Sequence, residues 1–154
     1  MITLEEFVER IVKLGADRGP RGFPRAKRDR EILMKSITLD LDEKATYSER
    51  DVNELLKRWL REIAPAIAVD HVTLRRWLVD YGHLERTRDG KQYRVGFPAR
   101  GVAFDVEVYD VDLRATVAAY LAEQARKAKE RSARRAEVLQ DGRAAERAAR
   151  TGRK

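Results

Sequence analysis

At 154 residues the chain has room for one domain and an appendage, which excludes two large domains. Cysteine is absent, so disulfide frameworks, thiolate metal sites and cysteine nucleophiles are excluded and a reducing cytosol is the natural compartment. Lys plus Arg number 33 against 26 Asp plus Glu, a formal charge of +7 that favours polyanionic partners.

The opening MITLEEFVERIVKL carries acids where a signal peptide is basic. No apolar run approaches the roughly 20 residues that span a bilayer, so a cytoplasmic protein without membrane contact is expected. Leu4, Phe7, Val8, Ile11 and Leu14 recur at helical spacing behind Thr3, with Glu6 three residues on as a capping box and Gly15 as a stop. This predicts an N-terminal helix over 1–15. Residues 16–26 follow, where Gly19, Pro20, Gly22 and Pro24 prevent regular structure while arginines accumulate, and they read as an extended basic linker.

A second helix is predicted over 27–39, with Ile32, Leu33, Ser36 and Ile37 inward, ending in the acidic turn 40–44. Thr46 and Tyr47 suit a very short strand. Ser48 then caps a third helix with inner stripe Val52, Leu55, Leu56, Trp59 and Ile63, closed at Pro65. Asp70 caps a fourth, in which Leu74, Trp77, Leu78 and Tyr81 form a buried stripe and Gly82 is the end. HLERTRDGKQYRV reads as a wing-like hairpin, its Asp89-Gly90 supplying the positive φ angles of a type I′ turn.

After Gly96, Pro98 and Gly101, the alternation of Val102, Phe104, Val106 and Val108 with acids predicts a strand that extends the wing's sheet. Residues 111–139 predict a long helix whose stripe of Leu113, Val117, Tyr120 and Leu121 fades beyond Ala125. A basic helical region is thus expected over 111–154, docked by its first turns and frayed or disordered toward its end. Its apolar positions do not sustain a coiled coil. A homodimer contact through Leu113, Val117, Tyr120 and Leu121 stays open.

The segments GFPRAKRDREILMKSI, YSERDVNELLKRWL and DHVTLRRWLVDYGHLERTRDGKQYRV closely resemble the bacterial family called domain of unknown function 2087, over about residues 23–95. The Phe-Pro with following basics at Phe23 to Arg28, the motif Tyr47 to Asn53, and Thr73 to Arg76 carry the likeness. The resemblance implies a small helix-hairpin domain, found alone or fused to winged-helix regulators of the arsenic-repressor type and to acetyltransferases, with no established activity. The chain departs from the shorter family pattern in its longer connection, Arg58 to Val69.

The expected fold class is α+β and mainly helical. A winged-helix-like core over 27–110 with a small antiparallel hairpin or three-stranded sheet is flanked by the N-terminal helix and the basic C-terminal helix. In such a core the fourth helix is the recognition helix, and turning its stripe inward aims Val72, Arg75, Arg76 and Val79 outward. Arginine's planar fork reads guanine bidentately or pairs with phosphate, and Val72 and Thr73 suit a thymine methyl or a phosphate oxygen. Arg86, Arg88 and Lys91 on the wing suit backbone or minor-groove contact, with Arg25, Lys27 and Arg28 tracking neighbouring phosphates. Against this stands a purely structural account, in which Arg75 and Arg76 pair with Asp80 and with carboxylates of the preceding helix, and the linker basics dock on acidic helix faces.

With His71 and His83 the chain's two histidines, and no Gly-rich phosphate loop or nucleophile elbow, no enzyme activity, cofactor or metal is expected. Trp59, Trp77 and Tyr81 read as core. The expected function is nucleic-acid binding, DNA ahead of RNA, in a regulatory or accessory role; the alternative is a protein-interaction module that docks on a regulator or enzyme.

Overall fold

The protein is described here by a computed structural model covering residues 1–152. The chain divides into two compact units, Met1–Ala118 and a second that begins at Ala119.

The first unit opens with helix α1, Leu4–Ile11, whose N-terminus is held by Thr3: its hydroxyl accepts from the Glu6 amide at 3.2 Å. Gly15 does not stop the helix. The chain continues through a single π-helical turn, Val12–Ala16, and Gly15 is where that turn lies against the end of the third helix. A Cβ there would sit 3.1 Å from Ala64 Cα, and the Gly15 carbonyl accepts from the Ala66 amide at 2.7 Å.

Helix α2, Lys27–Thr38, buries Ile32, Leu33, Met34 and Ile37. Strand β1, Tyr47–Ser48, leads into helix α3, Glu49–Glu62, capped by Ser48 Oγ accepting from the Asp51 amide at 3.1 Å. Helix α4, His71–Asp80, is capped by Asp70, whose carboxylate accepts from the Thr73 amide at 2.7 Å. Strands β2, Leu84–Arg86, and β3, Gln92–Val95, form the hairpin. The sheet order is β1-β3-β2, antiparallel throughout, with Tyr47 opposite Tyr93 and Leu84 opposite Val95. The succession α2, β1, α3, α4, β2, β3 with the first strand pairing the last is a winged-helix-like arrangement, and the protein is mainly helical α+β.

The core lies between α1, α2, α3 and α4, around Trp59, Phe7, Leu33, Leu56, Leu74 and Leu78, each without solvent exposure. Burial of Phe7 and Ile11 makes the N-terminal helix part of this core. Residues 17–26 are extended, as their glycines and prolines dictate, but are no loose linker. Arg21 bridges Ile67: its amide donates to the Ala66 carbonyl and its carbonyl accepts from the Ala68 amide, both at 2.8 Å. The segment is thereby fastened to the connection between α3 and α4.

Three further expectations are corrected. The hairpin turn is not type I′, because Gly90 alone has positive φ, at 74°. The Gly90 amide donates to the Thr87 carbonyl and the Thr87 amide to the Gln92 carbonyl, each at 2.8 Å. This places a left-handed glycine after a tight turn, the longer and bulged hairpin class. Residues 102–108 do not extend the sheet. The backbone around Phe104 bridges Ile2, and Asp105 then starts a 3-10 turn, Val106–Asp110, that leaves Val106 74% exposed and Val108 buried. Nearby, the Phe104 ring meets Phe7 edge-on at 5.8 Å, so its apolar contact is with α1 and not with the wing. Finally, Trp77 is half-buried and Tyr81 is 43% exposed, although both share the stripe of the fully buried Leu74 and Leu78.

Helix α5, Leu113–Thr151, begins at Asp112, whose carboxylate accepts from the Ala115 amide at 3.1 Å. Its first turn is clamped within the first unit. Arg114 donates to Glu62 at 2.7 Å and to both oxygens of Asp40 at 2.5 and 3.2 Å, and these partners raise its pKa, Asp40 first. Of the stripe offered for a dimer contact, Leu113 and Val117 are buried inside this unit, whereas Leu121 in the second unit is exposed. In the second unit the helix runs on to Thr151 with every side chain from Ala125 exposed. Arg126, paired with Glu123 and Glu130 at 2.5 Å, supports it locally, as does a composition rich in Ala, Arg and Glu. The end of the expected fraying, residues 153–154, lies outside the described residues. Among the described residues no helix is long and apolar enough to cross a membrane.

Candidate nucleic-acid interface

Leu74 and Leu78 fix the rotation of α4, so its opposite side faces out beside the hairpin. A groove of about 290 Å³ runs between them, lined by Val72, Arg75, Arg76, Val79, Arg86 and Tyr93 together with Asp80. Val72 is 42% exposed and Arg76 is exposed. Thr73 is half-buried in the first turn, its amide engaged by Asp70. Arg86, Arg88 and Lys91 are exposed on the wing, and Arg86 donates to the Gly90 carbonyl at 3.1 Å, which steadies it against the turn. Asp89 lies among them, bound by the Thr87 hydroxyl at 2.7 Å and the Lys91 amide at 3.0 Å, and these bonds hold its carboxyl below the usual carboxylate range.

Two of the expected contact residues are committed elsewhere. Arg75 reaches Glu49 of α3 at 2.7 Å, donates to Asn53 Oδ1 and lies 6.0 Å from the Tyr93 ring, with a side chain 16% exposed. It ties α4 to α3 and the wing, which is the structural account of this residue. Arg28 makes a two-point bond to Glu6 at 2.5 and 2.6 Å, which lowers the Glu6 pKa. With Arg10 on Asp29 at 2.7 and 2.9 Å, this pins α1 to α2. Arg25 and Lys27 remain exposed at the start of α2.

On the other side of α4, Trp77 and Tyr81 border a notch of about 320 Å³ with Phe23, Pro24, Arg25 and Arg30. The Phe23 and Trp77 rings are 5.5 Å apart, and the Arg30 guanidinium stands 4.1 Å over Tyr81.

Fastened strap, capped α3, α4 and hairpin together span the stretch that matches a known family. Residues 21–95 match the family described as an uncharacterized protein conserved in bacteria, DUF2087. The chain carries a DUF2087 domain. No curated protein and no solved structure matches it.

Inside the DUF2087 domain lies a pair for which sequence patterning carried no signal. Glu31 of α2 and His83 at the foot of the wing are each 4% exposed, with Glu31 Oε2 and His83 Nε2 3.1 Å apart. The ring N–H is not aimed at that oxygen, so the two groups lie close without an aligned hydrogen bond. A charged residue in a helix defaults to the surface, which is why Glu31 passes unnoticed. Among the described residues no group of three or more metal-ligating side chains gathers.

Burial pushes the His83 pKa down; Glu31 opposes this, and Lys35 and Arg30 reinforce it. With its folded-state pKa below the ordinary value near 6.5, the unfolded chain takes the proton first. Stability is therefore fully present above about pH 6.5 and declines as the pH falls below it. Melting temperatures at pH 7.5 and pH 5.5 should differ more for the native chain than for His83→Gln; equal differences would contradict this assignment.

Proposed function

We propose that the protein binds duplex DNA nonenzymatically, as a regulatory or accessory factor in the bacterial cytoplasm, through the groove between α4 and the wing. The observation that carries this is the convergence of Arg76 of α4 and Arg86 of β2 on one open groove, with Arg88 and Lys91 exposed at the hairpin turn beside it. Helix α4 offers its outward residues as a helix does to a major groove, while the wing cations suit phosphates or the neighbouring minor groove. Arg25 and Lys27 add charge, and Arg28 and Arg75 serve the scaffold.

Such binding is electrostatic in its first approximation. Each phosphate neutralised contributes about 0.9 to the slope of log K against log salt, so about five contacts give a slope of about 4 to 5. Fluorescence anisotropy of a labelled random duplex titrated with the full chain at several salt concentrations should return that slope. A flat response rules the reading out.

A second reading is favoured by the notch on the far side of α4. Half-exposed Trp77 and Tyr81 beside Arg25 and Arg30 are a combination on which an unpaired base stacks. Tighter binding of a single-stranded RNA than of the duplex in the same titration would move the site to that notch.

A further inference from the structure

A cavity of about 370 Å³ lies where α2 passes under the segment that leaves β3. Glu31, Lys35 and His83 form one side, and Phe104 with the exposed Phe97 and Tyr109 lines the other, which is open to solvent. Its buried polar groups, Glu31 and His83, face each other at 3.1 Å without an aligned hydrogen bond. Both are more than nine-tenths buried, and Nε2 of His83 has no aligned hydrogen-bond partner. A buried polar atom without a partner is costly, and a cavity edge is where a ligand supplies one.

Lys35 is the third element. Its ammonium lies 4.7 Å from the Tyr109 ring centre and 5.5 Å from that of Phe104, and no carboxylate pairs with it among the described residues. Glu31 and Lys35 stand four residues apart on one face of α2, about 6 Å along the axis at 1.5 Å per residue. The cavity thus presents one negative and one positive group at short spacing, with an imidazole beside Glu31 and aromatic rings along the open edge. A simple anion would face Glu31 unfavourably, and a simple amine would face Lys35. A small zwitterion with an apolar body satisfies all of them.

We infer that this cavity is a binding site for a free α-amino acid with an apolar side chain, its ammonium on Glu31, its carboxylate on Lys35 and its side chain against Phe97, Phe104 and Tyr109. The site stands whether or not the α4 groove binds nucleic acid, since no residue is shared between the two.

The test is NMR of the full chain with L-phenylalanine, L-leucine and L-methionine as probes, following the ring signals of His83 and Tyr109. Phenethylamine and 3-phenylpropionate, each lacking one charge of phenylalanine, serve as comparators. At least one amino acid should shift both signals, and its one-charge analogues should bind about tenfold or more weakly, a loss of about 1.4 kcal/mol. Lys35→Met, a change at a partly exposed position, should show the same loss while keeping the native spectrum. The inference is overturned if none of the three amino acids moves these signals, if the analogues bind as well as the amino acid, or if Lys35→Met binds unchanged. The analogue comparison uses the native chain, so a failure of Glu31 or His83 variants to fold does not affect it.

Discussion

Trp59→Ala is expected to remove about 3–5 kcal/mol of stability, the range for truncating a large aromatic in a packed core. Trp59 has no solvent exposure, and its indole N–H donates to Ser36 Oγ at 2.9 Å, which in turn donates to the Leu33 carbonyl at 2.6 Å. Truncation both opens a cavity between α2 and α3 and takes away the donor that Ser36 accepts from. Against a typical total of about 5–15 kcal/mol, the variant keeps little margin. Trp77→Ala should cost much less, about 1–2 kcal/mol, because it gives up a tilted ring contact with Phe23 and a partial burial. Urea denaturation followed by circular dichroism separates the two. Equal losses would mean that Trp77 is as deeply packed as Trp59 and that the notch beside it is closed.

The two neighbouring arginines of α4 should divide their effects between folding and binding. Arg75→Ala is expected to destabilise the protein by about 1–3 kcal/mol, since it leaves Glu49 and Asn53 without their charge-assisted partner and frees α4 from α3. Arg76→Ala should stay within about 0.5 kcal/mol of the native stability, as exposed substitutions do. It should nevertheless weaken DNA binding at every sequence and lower the salt slope by about 0.9. The check is a pair of denaturation curves with a pair of anisotropy titrations. Loss of stability in Arg76→Ala with full stability in Arg75→Ala would invert the facing of α4.

What was legible in the sequence was local. Thr3, Ser48 and Asp70 each combine a short polar side chain with the apolar period that follows, and each caps its helix. The wing was legible because two short runs flank Asp89-Gly90, although the turn class depended on the backbone of Asp89, which composition does not fix. Contacts between distant segments were not legible. Nothing in Arg21 announces a bridge to Ile67, and nothing in Val102 to Val108 says that Ile2 will take the pairing that the wing's sheet was expected to supply. Trp77 and Tyr81 illustrate a limit of helical periodicity. They lie on the edge of the stripe centred on Leu74 and Leu78, and only the third dimension decides that this edge meets a notch. At the candidate interface the sequence over-counted the free cations. Arg28 and Arg75 look like Lys27 and Arg76 in sequence and differ in having Glu6 and Glu49 within reach.

The most direct test compares two variants of the full chain on the same labelled duplex. One replaces Arg76, Arg86, Arg88 and Lys91 with Gln, and the other replaces Arg131, Arg134 and Arg135 of the exposed helix with Gln. Loss of about 3 to 4 from the salt slope in the first, with a smaller change in the second, is the result predicted for a DNA-binding groove between α4 and the wing. Unchanged binding by the first variant and loss by the second would contradict it and assign the affinity to the basic helix.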